Sequence, residues 1–200
     1  SAAKAASAAT HSVVHASSGR IRSMYDSTVL PCTVPLTEIV VAALNQPQTG
    51  NMGGLIGADQ LCQTQAAAAG YPQKFQAFLS TSVRSVKDMM PPGSVNLPVV
   101  NRNGDAMFSS WSLLTGGTNP KSSNVLYTFS GVQVDNNFCS DADGWTGSNV
   151  TGQSNGEDCG AWTSTGLTGT ATEYDADEFL RVETGHACSV PLAVVCVSVP

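Results

Sequence analysis

"HACSVPLAVVCV", residues 186–197, sets two cysteines around a strongly apolar run near the end of the chain. The segment "LAVVCVS" has the length, β-branched content and unbroken apolarity of a buried strand. Just upstream, "GEDCGAW", residues 156–162, places a cysteine and a tryptophan inside a region rich in Gly, Ser and Asn. A polar stretch with so few apolar side chains holds a fixed shape only if such residues anchor it. Together the two stretches read as a long loop pinned to the fold beside a terminal core strand.

Working outward, Asp135 to Gly185 reads as mostly loop, dominated by Gly, Ser, Thr, Asn and acids. About fifty irregular residues normally argue against a compact domain unless covalent staples hold them. Further upstream, "EIVVAAL" at 38–44 suits a buried strand, and Asn45 to Gly54 is turn material. "GADQLCQTQAAAAG" predicts a helix opened by Asp59, propagated by alanines and stopped by Gly70, with Cys62 in an early turn. "KFQAFLSTS" predicts a strand, and "VRSVKDMM" a short helix stopped by Pro91 and Pro92. Asn103-Gly104 marks a turn between two apolar segments, and "VLYTFSGVQV" alternates as a half-buried strand. Residues 1–30 are Ala/Ser-rich and bury little by themselves. They are read as an extension, helical near 2–16, that begins a processed or excised chain. The domain is assigned to residues 31–200.

Composition limits the functional classes. Charged residues are 12% of the chain, about half the usual share, and the net charge is −6. Nine basic residues scattered along 200 positions offer no phosphate-binding patch, which excludes nucleic acid and disfavours heparin-like polyanions. No segment reaches the roughly 18 apolar residues that a membrane span requires. Six cysteines without a C-x-x-C pair favour three disulfides in an oxidising, extracellular compartment over a zinc or thiol redox site. Asn149-Val150-Thr151 is a glycosylation sequon in the polar loop, consistent with secretion.

A strand, an early helix, a long pinned loop and a final apolar strand outline an α+β, C-type-lectin-like fold. The residues resemble the endostatin module that ends collagens XV and XVIII. The matching stretches are "VAALNQPQTGNMGGLIGADQLCQTQAAAAG", "FQAFLSTS", "PVVNRNGDAMFSSW", "LYTFSGVQV", "GWTGSN", "CGAWTS" and "ACSVPLAVVCV". They run in the family's order over roughly residues 37–198. Six cysteines permit 15 connectivities. The resemblance implies Cys62 with Cys196 and Cys159 with Cys188. Cys32 and Cys139 lie outside its pattern and are thereby assigned to each other. The family's heparin binding relies on surface arginines that this acidic chain lacks. Its zinc site uses N-terminal histidines, one of them at the position held here by Val40.

Other chemistry is read from the residues themselves. "DADGW" offers Asp141 and Asp143, and "EYDADEF" offers Glu173, Asp175, Asp177 and Glu178. Closely spaced carboxylates in a loop can supply several of calcium's six to eight oxygens, so Asp141, Asp143, Asp175 and Asp177 are candidate calcium ligands. Plain solvation of these acids is the competing reading. The lectins' Glu-Pro-Asn, Gln-Pro-Asp and Trp-Asn-Asp signatures are absent from the long loop. His11 and His15 share a face if residues 2–16 are helical, a beginning for a zinc site that needs further ligands. Trp111, Trp145 and Trp162 suit burial beneath the loop, and Trp145 is the candidate for an exposed, ligand-stacking ring. No nucleophile motif is present, and His186 is the only base from which a triad could be drawn.

The resulting expectation is a non-catalytic extracellular module for adhesion or assembly, partnered by other extracellular proteins or by copies of itself. The alternative is a carbohydrate-binding module assisted by calcium, and a hydrolase stands third.

Overall fold

The structure is a computed structural model that describes residues 35–117, 125–139, 142–174, 179–180 and 182–200. The extension assigned to 1–30, with His11 and His15, lies outside these residues, as does Cys32.

A five-stranded sheet forms the centre, in the order β2-β8-β1-β3-β4. Its strands are β1 Ile39–Ala43, β2 Lys74–Ala77, β3 Val99–Asn101, β4 Ala106–Phe108 and β8 Val195–Val199. Strands β1 and β3 run parallel, and the other neighbours are antiparallel. Every residue of β1 and β8 is buried, which accounts for their unbroken apolar sequences. Successive side chains point to opposite faces. Ile39, Val41, Ala43, Val195, Val197 and Val199 therefore serve one core, while Val40, Ala42, Leu44, Val194 and Cys196 serve the other.

Helix α1, Gly54–Ala68, covers the second face through Ala58, Cys62 and Ala66. These three small residues recur every four positions and so form one stripe, which lets the helix lie close to the sheet. The helix begins five residues before Asp59, with Gly53 as its N-cap, so Asp59 does not open it. Its carboxylate instead accepts the Ala77 amide at 2.9 Å and pairs with the Arg84 guanidinium at 2.7 Å. Arg84 also donates to the carbonyls of Ala77 and Leu79. This carboxylate is more useful reaching across to β2 than satisfying its own helix end. The Cys62–Cys196 disulfide then joins α1 to β8.

The first face carries an aromatic cluster in which Phe78 meets Trp111 and Phe179 edge-on, with Phe108 and Tyr174 around it. Trp111 opens a single helical turn, α2, Trp111–Leu114, capped by the Ser110 hydroxyl. The predicted helix near 83–90 is reduced to a 3-10 turn, Val86–Asp88.

One expectation is corrected here and another refined. "VLYTFSGVQV" is not one strand. It folds back at Ser130-Gly131, with Tyr127 bridging Gln133 and Thr128 accepting the Gly131 amide. The Ser-Gly pair is the turn signal that outweighs the alternation. The described residues within 135–185 are mostly irregular, as expected, but they hold a sheet that the sequence reading did not place. They carry strands β5 Asp143–Trp145 and β6 Thr168–Glu173, and β7, Glu183–Ala187, closes a three-stranded sheet with them in the order β5-β6-β7. Among the described residues no helix is long and apolar enough to cross a membrane.

Candidate functional site

The small sheet joins the central one through β5, whose Trp145 amide donates to Ala193 while the Ala193 amide donates to Asp143, each at 2.9 Å. Its middle strand, "TGTATE", is built from small residues and threonines. On the face shared with Trp145, β6 presents Gly169, Ala171 and, opposite Asp143, Glu173, and a Cβ at Gly169 would overlap the Trp145 ring and the Cys159 sulfur. The absence of a side chain there lets Trp145 lie flat over the strand.

Trp145 is completely buried and donates its Nε1–H to the Gln48 carbonyl at 2.8 Å. Of the two readings of Trp145, burial beneath the loop agrees with the structure and the exposed stacking ring does not. With so little other apolar mass in this region, the indole is needed as core, and its one polar atom is already satisfied. Trp111 and Trp162 are also fully buried.

"GEDCGAW" forms one turn of left-handed helix. Cys159, Gly160, Ala161 and Trp162 have φ of 53°, 65°, 56° and 64°. For residues other than glycine this conformation costs roughly 1–2 kcal/mol each. Three restraints hold it. Asp158 accepts the Ala161 amide at 2.8 Å, Trp162 donates its indole N–H to the Ser80 carbonyl at 3.0 Å, and Cys159 is bonded to Cys188. The Met52 amide, just before α1, donates to the Trp162 carbonyl, which ties the turn to the approach to that helix.

Beside Trp145 lies a cluster of ionisable groups: the carboxylates of Asp143 and Glu183 and the His186 imidazole, with one donor atom from each within 4.8 Å of the others. Asp143 starts β5, whereas Glu183 and His186 belong to β7, on the far side of β6. Glu183 and His186 are three residues apart, so in a regular strand they would face opposite ways. A bulge reverses this: two steps along β6, Gly169 to Ala171, match three along β7, His186 to Glu183. Gly185 lies inside the bulge with φ 81°, a conformation that glycine adopts without strain. Asp143 is 4% exposed, whereas the His186 and Glu183 side chains are 25% and 36% exposed and form the solvent-facing rim. The His186 ring stands edge-on to Trp145, with centroids 6.4 Å apart. Burial pushes the neighbouring Tyr174 phenol well above its ordinary pKa, and electrostatic interaction with Cys139 and Asp143 acts in the same direction.

Of the candidate calcium ligands, only Asp143 falls among the described residues; Asp141, Asp175 and Asp177 lie outside them. The structure brings Asp143 to Glu183 and His186, a grouping that sequence reading missed. The available signal was the Glu-x-Gly-His spacing, which is meaningful only if Gly185 marks a bulge. Cys139 is buried and donates its Sγ–H to the Asp143 carbonyl at 3.1 Å. Asn149 is half-buried, and its Oδ1 accepts the Thr151 hydroxyl at 2.7 Å in a tight turn beside Val150. Val40 is buried within β1, so no ligand stands where the resembled family places a zinc histidine.

Comparison with known proteins agrees with this architecture. The family described as Collagenase NC10 and Endostatin matches residues 39–199. The human collagen alpha-1(XVIII) chain is 34% identical over 97 residues, 47% of this chain and 6% of the human one. The chain thus spans only a small part of that relative's length.

Proposed function

The chain belongs to the endostatin family, and from that premise we propose that it is a non-catalytic module for adhesion or assembly within an extracellular matrix protein. The observation that carries this reading is the family match over 39–199, joined to the disulfides Cys62–Cys196 and Cys159–Cys188. Disulfides of this kind persist outside the cell and give a small domain a rigid surface for recognition. An acidic chain with few basic residues directs that recognition towards proteins rather than polyanions. His186 is engaged with Glu183 and Trp145, which supports a structural or ligand-holding histidine over a general base. With Trp145 buried, the carbohydrate reading loses its candidate stacking ring.

The test combines light scattering across protein concentration with solid-phase binding to immobilised matrix proteins. Saturable binding or a concentration-dependent mass supports the proposal. A monomer at every concentration that also binds no matrix protein overturns it.

A further inference from the structure

We propose that Asp143, Glu183 and His186 form a binding site for a zinc-class divalent cation. The His186 Nε2 to Glu183 Oε2 separation is 3.4 Å. That is longer than the roughly 2.7–2.9 Å of a charge-assisted hydrogen bond. It equals the spacing of about 3.4 Å between neighbouring ligands of a tetrahedral ion with bonds near 2.1 Å. All three donors lie within 4.8 Å, so closing around an ion requires side-chain adjustments on the order of 1 Å rather than backbone movement.

The backbone supports the same assignment. Strands β5 and β7 are separated by β6 and so by roughly 10 Å. Their side chains meet because β6 carries only the small residues Gly169 and Ala171 between Trp145 and β7, with Glu173 beyond them opposite Asp143, and because the bulge at Gly185 turns Glu183 and His186 to one side. Asp143 is held from two directions: its carbonyl accepts the Ala193 amide and the Cys139 thiol. Trp145 limits rotation of the imidazole. A buried carboxylate on a held backbone as floor and two partly exposed donors as rim make a site that is reachable from solvent.

The donor set selects the ion. One imidazole nitrogen and two carboxylates suit zinc and its neighbours, whereas calcium takes six to eight oxygens. Three protein ligands leave one tetrahedral corner for water or for a side chain from another molecule.

The experiment uses the whole 200-residue chain, dialysed against chelator, carrying His11→Ala and His15→Ala. His186 is then the only histidine left of the chain's three. Zinc titration by calorimetry should give one site per chain, and cobalt should produce the visible absorption of a low-symmetry site. Adding His186→Ala or Glu183→Gln should weaken zinc binding at least tenfold, while circular dichroism and the melting temperature without metal stay close to those of the parent. Because Asp143 is buried, Asp143→Asn serves as a supporting variant only where its fold is intact. Undiminished zinc binding in His186→Ala, or no zinc binding once His11 and His15 are replaced, would overturn the site. Stabilisation by calcium with none by zinc would overturn the assignment of the ion.

Discussion

Replacing both Cys62 and Cys196 with alanine gives the most quantitative test of the stapled scaffold. The bridge spans 134 residues and joins α1 to β8. In the chain-entropy treatment, closing a loop of that length in the unfolded state corresponds to about 5 kcal/mol. The Cys159–Cys188 bridge lies within this loop and shortens it by its own separation of 29, leaving 134 − 29 = 105 residues. Because the dependence is logarithmic, the figure stays near 5 kcal/mol. Measured losses usually fall below this limit, so the expected destabilisation is about 3–5 kcal/mol. That is a large share of the roughly 5–15 kcal/mol that holds a typical domain folded. Urea unfolding followed by tryptophan fluorescence reads the loss directly. The mechanism also predicts a larger m-value, because an unfolded chain without the long crosslink exposes more surface. A loss below about 1 kcal/mol with an unchanged m-value would refute the argument that this bridge acts by restricting the unfolded chain.

Trp145→Ala should cost about 3–5 kcal/mol in chemical denaturation, since it opens a cavity and leaves the Gln48 carbonyl without its donor. Ala161→Gly should raise stability by roughly 0.5–1 kcal/mol, read as a higher melting temperature, because Ala161 is exposed and held at φ 56°. Arg84→Ala should cost about 2–3 kcal/mol, because it strips two carbonyls and the partly buried Asp59 carboxylate of their partner. Tyr174 is neutral in the fold with its pKa raised, so its contribution is fully present below the unfolded value of about 10 and is lost as pH rises through the folded one. Ultraviolet titration should show the Tyr174 phenol ionising only as the protein unfolds in alkali; ionisation of all four tyrosines in the intact fold would contradict this.

The central strands were legible because β1 and β8 are buried on both faces, which leaves continuous apolar runs such as "IVVAA" and "VCVSV". Helix α1 was legible from its alanines, but its start was not: Gly53-Gly54 reads as turn, and Asp59 has the composition of a cap while serving β2 instead. The small sheet was hidden because β6 consists of Thr, Gly, Ala and Glu, with no apolar alternation. Its stability comes from Trp145 and Cys159 packed over Gly169, a long-range contact that no local pattern encodes. The Asp143–Glu183–His186 grouping was invisible for a related reason. It depends on a one-residue register shift, and without that shift Glu183 and His186 face opposite ways. Trp145 left two readings open because a lone aromatic in a polar stretch looks the same whether it is displayed or buried as the stretch's own core.

The scaffold stands on two crosslinks that place the early helix against the last strand and the left-handed turn against the end of β7. Non-reducing proteolysis with mass spectrometry of the secreted chain measures this directly. The account predicts peptides joining Cys62 to Cys196 and Cys159 to Cys188. Any other partner for these four cysteines, or their recovery as free thiols, would contradict it.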